Sequence, residues 1–355
     1  MSAGTVVSVP GKTILMGEHA AVYGHPALVA AIDRRLTVSV LSSEVGGVRV
    51  EMPTIGWTGR AGWPELLTLA GERRSSWTVA FADGHGRFVP VREPHLLALI
   101  AAGEAASLAG GASLPGVAVT IASRIPSGAG CGSSAALGVA VVAALSAALG
   151  LPADDMAIAR AALAVERAQH GRPSGVDVEA VLHGGIHWFH RGEDGLLRRE
   201  GIRLGSSGLS AFRLFHSGAP AETTGAMVQL VRERERDDPL AVRDALATID
   251  AATRQLRVAL AEEDGDSVVA LVRRCETALE SLGVVPPQVA SAIRAIERDG
   301  GGAKVSGAGG RTGAGAGLVL VVHPDPGWHA RFAPPRGWTQ LPAALGAPGL
   351  LREAA

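Results

Sequence analysis

Lysine is nearly missing from this chain of 355 residues. Of its 33 basic residues only Lys12 and Lys304 are lysines; the rest are arginines. Cysteine is as scarce, with Cys131 and Cys275 alone. Two thiols cannot build a disulfide framework, which points to a reducing, cytoplasmic setting. The net charge is −1 and no basic block stands out, so nucleic acid is not an expected partner. The N-terminal stretch has neither a basic n-region nor a long apolar run, and does not read as a signal peptide. Residues 125–153 carry no charge. Their first third is Gly and Ser, and the apolar remainder falls short of the ~20 residues a membrane crossing needs. A buried core helix is expected there, and no membrane partner. The length suggests about two domains, each able to bury its own core.

The scarcity gives the two lysines meaning. Both lie in glycine-rich segments, Pro10-Gly-Lys-Thr and Lys304-Val-Ser-Gly-Ala-Gly-Gly310. Arginine serves elsewhere in this chain for charge. A compact, titratable ammonium is a different chemical object, so both lysines are candidate functional groups. The single tyrosine, Tyr23, lies in the first of these segments.

The chain is organised around residues 125–149. Val117 to Ile121 reads as a strand, and Ala135 to Leu149 as an uncharged helix of about four turns. Between them, Gly128, Gly130 and Gly132 remove side chains, so that backbone N–H groups can face an anion. The helix start adds unpaired donors and a positive dipole end. Ser133 and Ser134 add hydroxyls for phosphate or a metal ion; the alternative is a glycine-rich turn with Ser as N-cap. The spacing is not the dinucleotide fingerprint, and Val6 stands where a Walker loop needs its first glycine.

Other polar candidates surround this loop. Asp154 to Gln169 reads as a helix ended by Gly171 and Pro173. Glu166 and His170, four apart, share a face of it. In His170-Gly-Arg-Pro-Ser-Gly-Val-Asp177, the pair Ser174 and Asp177 resembles a capping box. The other reading of Asp177 is a carboxylate held by a tight turn to accept a proton. Glu18 and His19 follow a strand and face either a ligand or solvent. Residues 45–93 read as short strands and a variable loop region, with Trp57, Trp63 and Trp77 as local core. Residues 226–282 read as amphipathic helices and Leu318 to Val322 as a buried strand. The Pro- and Gly-rich tail, 323–355, receives no function.

Three segments together, Pro10 to Ala27, Pro126 to Ala136 and Lys304 to Gly310, resemble the GHMP kinases. Within that superfamily the chain looks most like the mevalonate kinases. Pro10-Gly-Lys-x-x-Leu-x-Gly-Glu-His-Ala-x-Val-Tyr-Gly-x-Pro-Ala and His170-Gly-x-Pro-Ser-Gly-x-Asp177 carry that likeness. The resemblance implies an α+β, two-domain fold. Residues 1–190 would form the nucleotide-binding α/β domain with a left-handed crossover, and 191–355 a ferredoxin-like domain. It implies ATP-dependent phosphorylation of mevalonate at its 5-hydroxyl, in isoprenoid synthesis, and a homodimer.

By the same resemblance Asp177 and Lys12 are catalytic. Pro126, Gly128, Ala129, Gly130, Cys131, Gly132, Ser133 and Ser134 bind ATP, with Gly307 and Gly309. Ser134 and Glu166 hold Mg²⁺. Glu18, His19, Ser174 and Thr224 stand on the substrate side. Cys131 replaces the family's usual Leu, which should make the phosphate loop thiol-sensitive. Arg311 interrupts the third motif where glycines usually continue, either clasping a phosphate or crowding the loop. Two rival readings are another GHMP kinase acting on a sugar or phosphomevalonate-like acid, and a non-catalytic nucleotide or metabolite sensor. The 170–177 segment argues against the first, and intact Lys12, Glu166 and Asp177 against the second.

Overall fold

A computed structural model describes residues 4–81, 88–202, 212–325 and 327–354. Two sheets organise them. The larger begins with β1 (Thr5–Met16) and β2 (Ala27–Ser43), which pair antiparallel. β5 (Gly116–Ser123) lies on the other side of β2, followed by β3 (Val48–Met52) and β4 (Trp57–Ala61). β3 runs parallel to β5, the others being antiparallel neighbours. β6 (Ile186–Arg191) pairs with the first residues of β2 and with β7 (Leu197–Gly201). The expected domain division at 190/191 thus falls inside β6, within the β6–β7 hairpin, and β7 belongs to the first sheet.

The uncharged stretch is α3 (Ser133–Ala148), and its composition follows from where it lies. It packs on β1 and β2 and is flanked by α2 (Pro94–Ser107) and α4 (Asp155–His170). Every residue from 135 to 146 is buried. A helix enclosed on all sides has no polar face to keep. α4 is amphipathic instead, and Asp154 caps it by accepting from the Ala157 N–H at 2.7 Å. Gly171 ends it, and α5 (Val176–His183) follows at once.

Residues 45–93 hold more order than their composition suggests. β3 and β4 form a hairpin, and α1 (Trp63–Phe81) is a helix of 19 residues. Gly71 and a mixed run of Arg, Ser and Trp disguise it. Trp63 is buried, and its Nε1–H donates to Pro115 O at 2.9 Å.

The second sheet is built from β8 (Phe212–His216), β9 (Gly302–Ser306), β10 (Leu318–Val322) and β11 (Thr339–Leu341), in the order β11-β8-β10-β9. Between β8 and β9 the chain makes α6 (Thr224–Asp237), α7 (Pro239–Ala261), α8 (Gly265–Ser281) and α9 (Pro287–Arg298). β9 and β10 are buried along their whole length. That explains the unbroken apolar run of β10, because a strand covered on both faces cannot alternate.

The tail is structural. Arg35 donates to Pro348 O at 2.7 Å and to Gly349 O at 2.6 Å, and Asp33 accepts from the Ala344 N–H at 2.8 Å. These contacts lead to β12 (Leu351–Ala354), which pairs antiparallel with β1 at the edge of the first sheet.

Candidate active site

The phosphate-loop reading begins at Lys12. At Pro10/Gly11 the β1–β2 register shifts, skipping Asp33 and Arg34 of β2. There the Lys12 N–H donates to Cys131 O at 2.9 Å, so the loop before α3 lies directly on β1. Side chains would obstruct this approach. A Cβ on Gly132 would sit 2.8 Å from Lys12 Cγ, and Gly132 also has φ +70°. The stem of Lys12 therefore crosses the loop where a glycine leaves room. Gly132, not a serine, occupies the N-cap of α3, and no side chain caps that helix. The first-turn N–H groups are left for an anion, with Ser133 and Ser134 half-buried beside them.

Lys12 Nζ lies 3.1 Å from Asp177 Oδ2. The lysine side chain is 4 % exposed and the aspartate 33 %. The cation is thus sheltered and the carboxylate opens outward. The capping-box reading of Ser174 and Asp177 does not hold. Gly175, at φ +87°, is the N-cap of α5, and Ser174 Oγ accepts from the Val176 N–H at 3.3 Å. Asp177, in the first turn, is free to face Lys12.

Glu166 and His170 project from α4 toward the same place. His170 Nε2 lies 3.4 Å from Ser134 Oγ and 4.0 Å from Glu166 Oε2. Glu166 is 2 % exposed, and its Oε1 has no hydrogen-bond partner. Burial raises its pKa, against the pull of His170, while nearby Asp177 adds to the rise. A buried, unpartnered carboxylate oxygen beside a hydroxyl and a phosphate-type loop suits a hard cation. Among the described residues no group of three or more His, Cys, Asp or Glu side chains is placed to hold a metal alone.

The second lysine is elsewhere. Lys304, on β9, is fully buried and ion-paired to Glu18, which is equally sealed. Lys304 Nζ also donates to Val305 O at 3.0 Å. The resemblance puts Glu18 on the substrate side; in the structure its carboxylate faces Lys304 and is sealed from solvent. Glu276 of α8 accepts from the Val305 N–H at 2.9 Å and is pushed by burial to a pKa of about 8. His19 lies between these regions. It is 6 % exposed at φ +58°, and its Nε2–H donates to Ala308 O at 3.0 Å. Burial lowers its pKa, so it is neutral near pH 7.

Sequence reasoning missed Ser306, which bonds the two sheets together. Its Oγ accepts from the Ile14 N–H at 3.1 Å and donates to Ile14 O at 3.0 Å. Thr13 Oγ1 is also 3.0 Å away. The first residue of β10 reaches the phosphate loop as well, through Leu318 N–H to Ala129 O at 3.1 Å. A Cβ on Gly130 would come within 3.3 Å of Ser306 O. The three segments that carried the resemblance are thus in mutual contact. Thr224 is exposed at the first turn of α6, whose cap is Thr223. Cys131 is 1 % exposed and burial pushes its thiol up to about 11, so the expected thiol sensitivity is corrected. The Arg311 side chain lines a recess of about 420 Å³ with Leu230, Glu233, Arg234 and Asp237, away from the phosphate loop.

Known proteins resemble this chain along most of its length. The family model for the GHMP kinases N terminal domain matches residues 96–185. A mevalonate kinase of Thermococcus sibiricus is 31 % identical over 313 residues, 86 % of each chain. One of Aeropyrum pernix is 31 % identical over 315 residues, 85 % of each. The Methanococcus jannaschii mevalonate kinase structure superposes with a TM-score of 0.72 at 20 % identity, over 91 % of each chain.

Proposed function

The chain belongs to the mevalonate kinase family of the GHMP kinases, and from that premise we propose how its site works. The protein is an ATP-dependent phosphotransferase that phosphorylates mevalonate to 5-phosphomevalonate, a step of isoprenoid synthesis. One observation carries the assignment of roles: the sheltered Lys12 ammonium 3.1 Å from the outward-facing Asp177 carboxylate, beside an uncapped helix N-terminus.

The acceptor hydroxyl approaches Asp177 from the open side. Lys12 favours its alkoxide form, and Asp177 takes the proton as the oxygen attacks the γ-phosphorus and the bond from that phosphorus to the bridging oxygen breaks, the electron pair leaving with ADP. The N–H groups from Gly128 to Ser134, with Pro126, Ala129 and Cys131 as loop backbone, receive the phosphate charge. Gly307 and Gly309 border the nucleotide from the second sheet. Ser134 and Glu166 would hold Mg²⁺, which would supply charge neutralisation to the phosphates. Ser174, His19 and Thr224 are assigned to the acceptor side. Phosphoryl transfer asks mainly for positioning and charge neutralisation, and this set supplies both.

The division into a nucleotide-binding part, 1–190, and a second part, 191–355, is proposed with β7 and β12 contributed back to the first sheet. No described helix is long and apolar enough to cross a membrane. A cytoplasmic homodimer is part of the same proposal, and light scattering on the purified protein checks its subunit count. The test of function is ADP release from Mg-ATP with and without mevalonate, with phosphorus NMR of the product. Mevalonate-dependent ADP with a new phosphomonoester signal is expected. ADP release independent of mevalonate, or none, would overturn the acceptor assignment.

A further inference from the structure

The third glycine-rich segment departs from its family pattern at Arg311 and Thr312, and the structure gives both residues a partner. Glu222 receives three hydrogen bonds from them. Its Oε2 accepts from the Arg311 N–H at 2.9 Å, and its Oε1 from the Thr312 N–H at 3.0 Å and Thr312 Oγ1–H at 2.6 Å. Burial alone would raise the Glu222 pKa, but these bonds outweigh it and hold the carboxyl below its usual range.

Glu222 stands two residues before Thr224 and one before Thr223, the N-cap of α6. The same turn is joined to the loop again further along. Ser217 N–H donates to Gly317 O at 2.8 Å, and Ala316 N–H donates to Ser217 Oγ at 3.0 Å. A Cβ on Gly315 would meet Gly218 at 2.5 Å, so the two backbones run in direct contact. On its far side the loop touches Ala129 of the phosphate loop through Leu318 N–H. One continuous path therefore runs from the phosphate loop, through 309–318, to the turn that carries Thr224.

We propose that Glu222 is a positioning residue which fixes the Thr223–Thr224 turn against the third glycine-rich loop, and that Arg311-Thr312 is the partner this carboxylate needs rather than a defect in the loop. The proposal rests on the kinase reading above. It assigns Glu222 no contact with the reacting atoms. The hydroxyl of Thr312 and two backbone N–H groups are what a glycine run could only partly supply.

Glu222→Gln and Thr312→Ala, singly and together, test it. Each single change should raise KM for mevalonate about tenfold, the scale of one charged hydrogen bond. kcat and the affinity for a fluorescent ATP analogue should move less than about twofold. The double variant should be no worse than the more impaired single one, because both changes break one contact. Hydrogen exchange of amides 223–227 should quicken in all three proteins, a readout that needs no turnover. Additive effects, unchanged exchange at 223–227, or a loss confined to the ATP analogue would overturn the proposal. Wild-type protein inactive on mevalonate would sink the acceptor assignment instead, and the exchange cycle would still decide the role of Glu222.

Discussion

The two lysines of this protein each face one carboxylate, in opposite surroundings. Lys12 and Asp177 form a half-open pair, with the acid 33 % exposed. Lys304 and Glu18 form a closed one, with both side chains at 0 %. The first pair can change partners, since a substrate hydroxyl can reach Asp177 without unfolding anything. The second cannot, and its role is to join β9 to the end of β1. On the proposed reading a lysine–carboxylate pair serves chemistry at one site and architecture at the other, and access to solvent decides between them.

The comparison is broken most severely at the open pair. Asp177→Asn keeps the shape and removes the proton acceptor, so kcat should fall by ~10²–10⁴-fold. The midpoint of thermal unfolding should barely change. Turnover near the wild-type value would remove Asp177 from the base role.

The closed pair should give the reverse pattern. Lys304→Met leaves Glu18 buried without its counter-charge, and removing one partner of such a pair costs ~3–5 kcal/mol. Urea unfolding should register that loss, and adding Glu18→Gln should recover part of it. If Lys304→Met instead left stability intact and abolished turnover, the closed pair would belong to the chemistry after all.

A third test concerns pH. Glu276, beside the closed pair, has its pKa raised by burial from 4.5 to about 8. The folded protein thus holds this proton more tightly than the unfolded chain. The stabilisation is complete below the unfolded value and is lost as pH rises from there through about 8. Its size is about 1.4 kcal/mol for each unit of difference, as an upper scale. Glu276→Gln keeps an acceptor for the Val305 N–H and should flatten the pH dependence of stability across that window. An unchanged profile would mean that another group titrates there.

The smallest expected effect is at the loop beneath the open pair. Cys131 is buried, with its thiol raised to about 11, so a thiol-specific dye should label it only after denaturation. Rapid labelling of the native protein, with loss of activity, would mean that the loop opens more than its packing indicates.

Much of this site could be read from the chain. The glycine spacing before an uncharged helix marked the loop that lies on β1 and the helix buried behind it, because backbone approach and complete burial both leave local traces. Lys12 and Asp177 were legible through short patterns around each. The fate of Glu18 was not. Its partner lies 286 residues away, and a carboxylate between Gly17 and His19 looks the same whether it faces solvent or a lysine. Asp177 was ambiguous for a related reason: a Ser and an acid three apart fit a cap, and only the position of β1 decides. Glu222 had no signal at all, since its role depends on a loop about 90 residues later. Helix α1 was hidden by Gly71 and by its lack of a clean apolar stripe. The tail was hidden because its strands are as short as three and four residues.

That tail has a consequence for how the molecule is made. β1 finds β2 within a few dozen residues, but Thr5–Ser8 at its other edge pair with residues 351–354. While the ribosome is still translating the second sheet, β1 presents an open row of backbone donors and acceptors to solvent. Closure of that edge also joins positions at the two extremes of the chain, a slow kind of contact to form. Nascent chains halted before residue 351 should therefore be the ones that depend on chaperones.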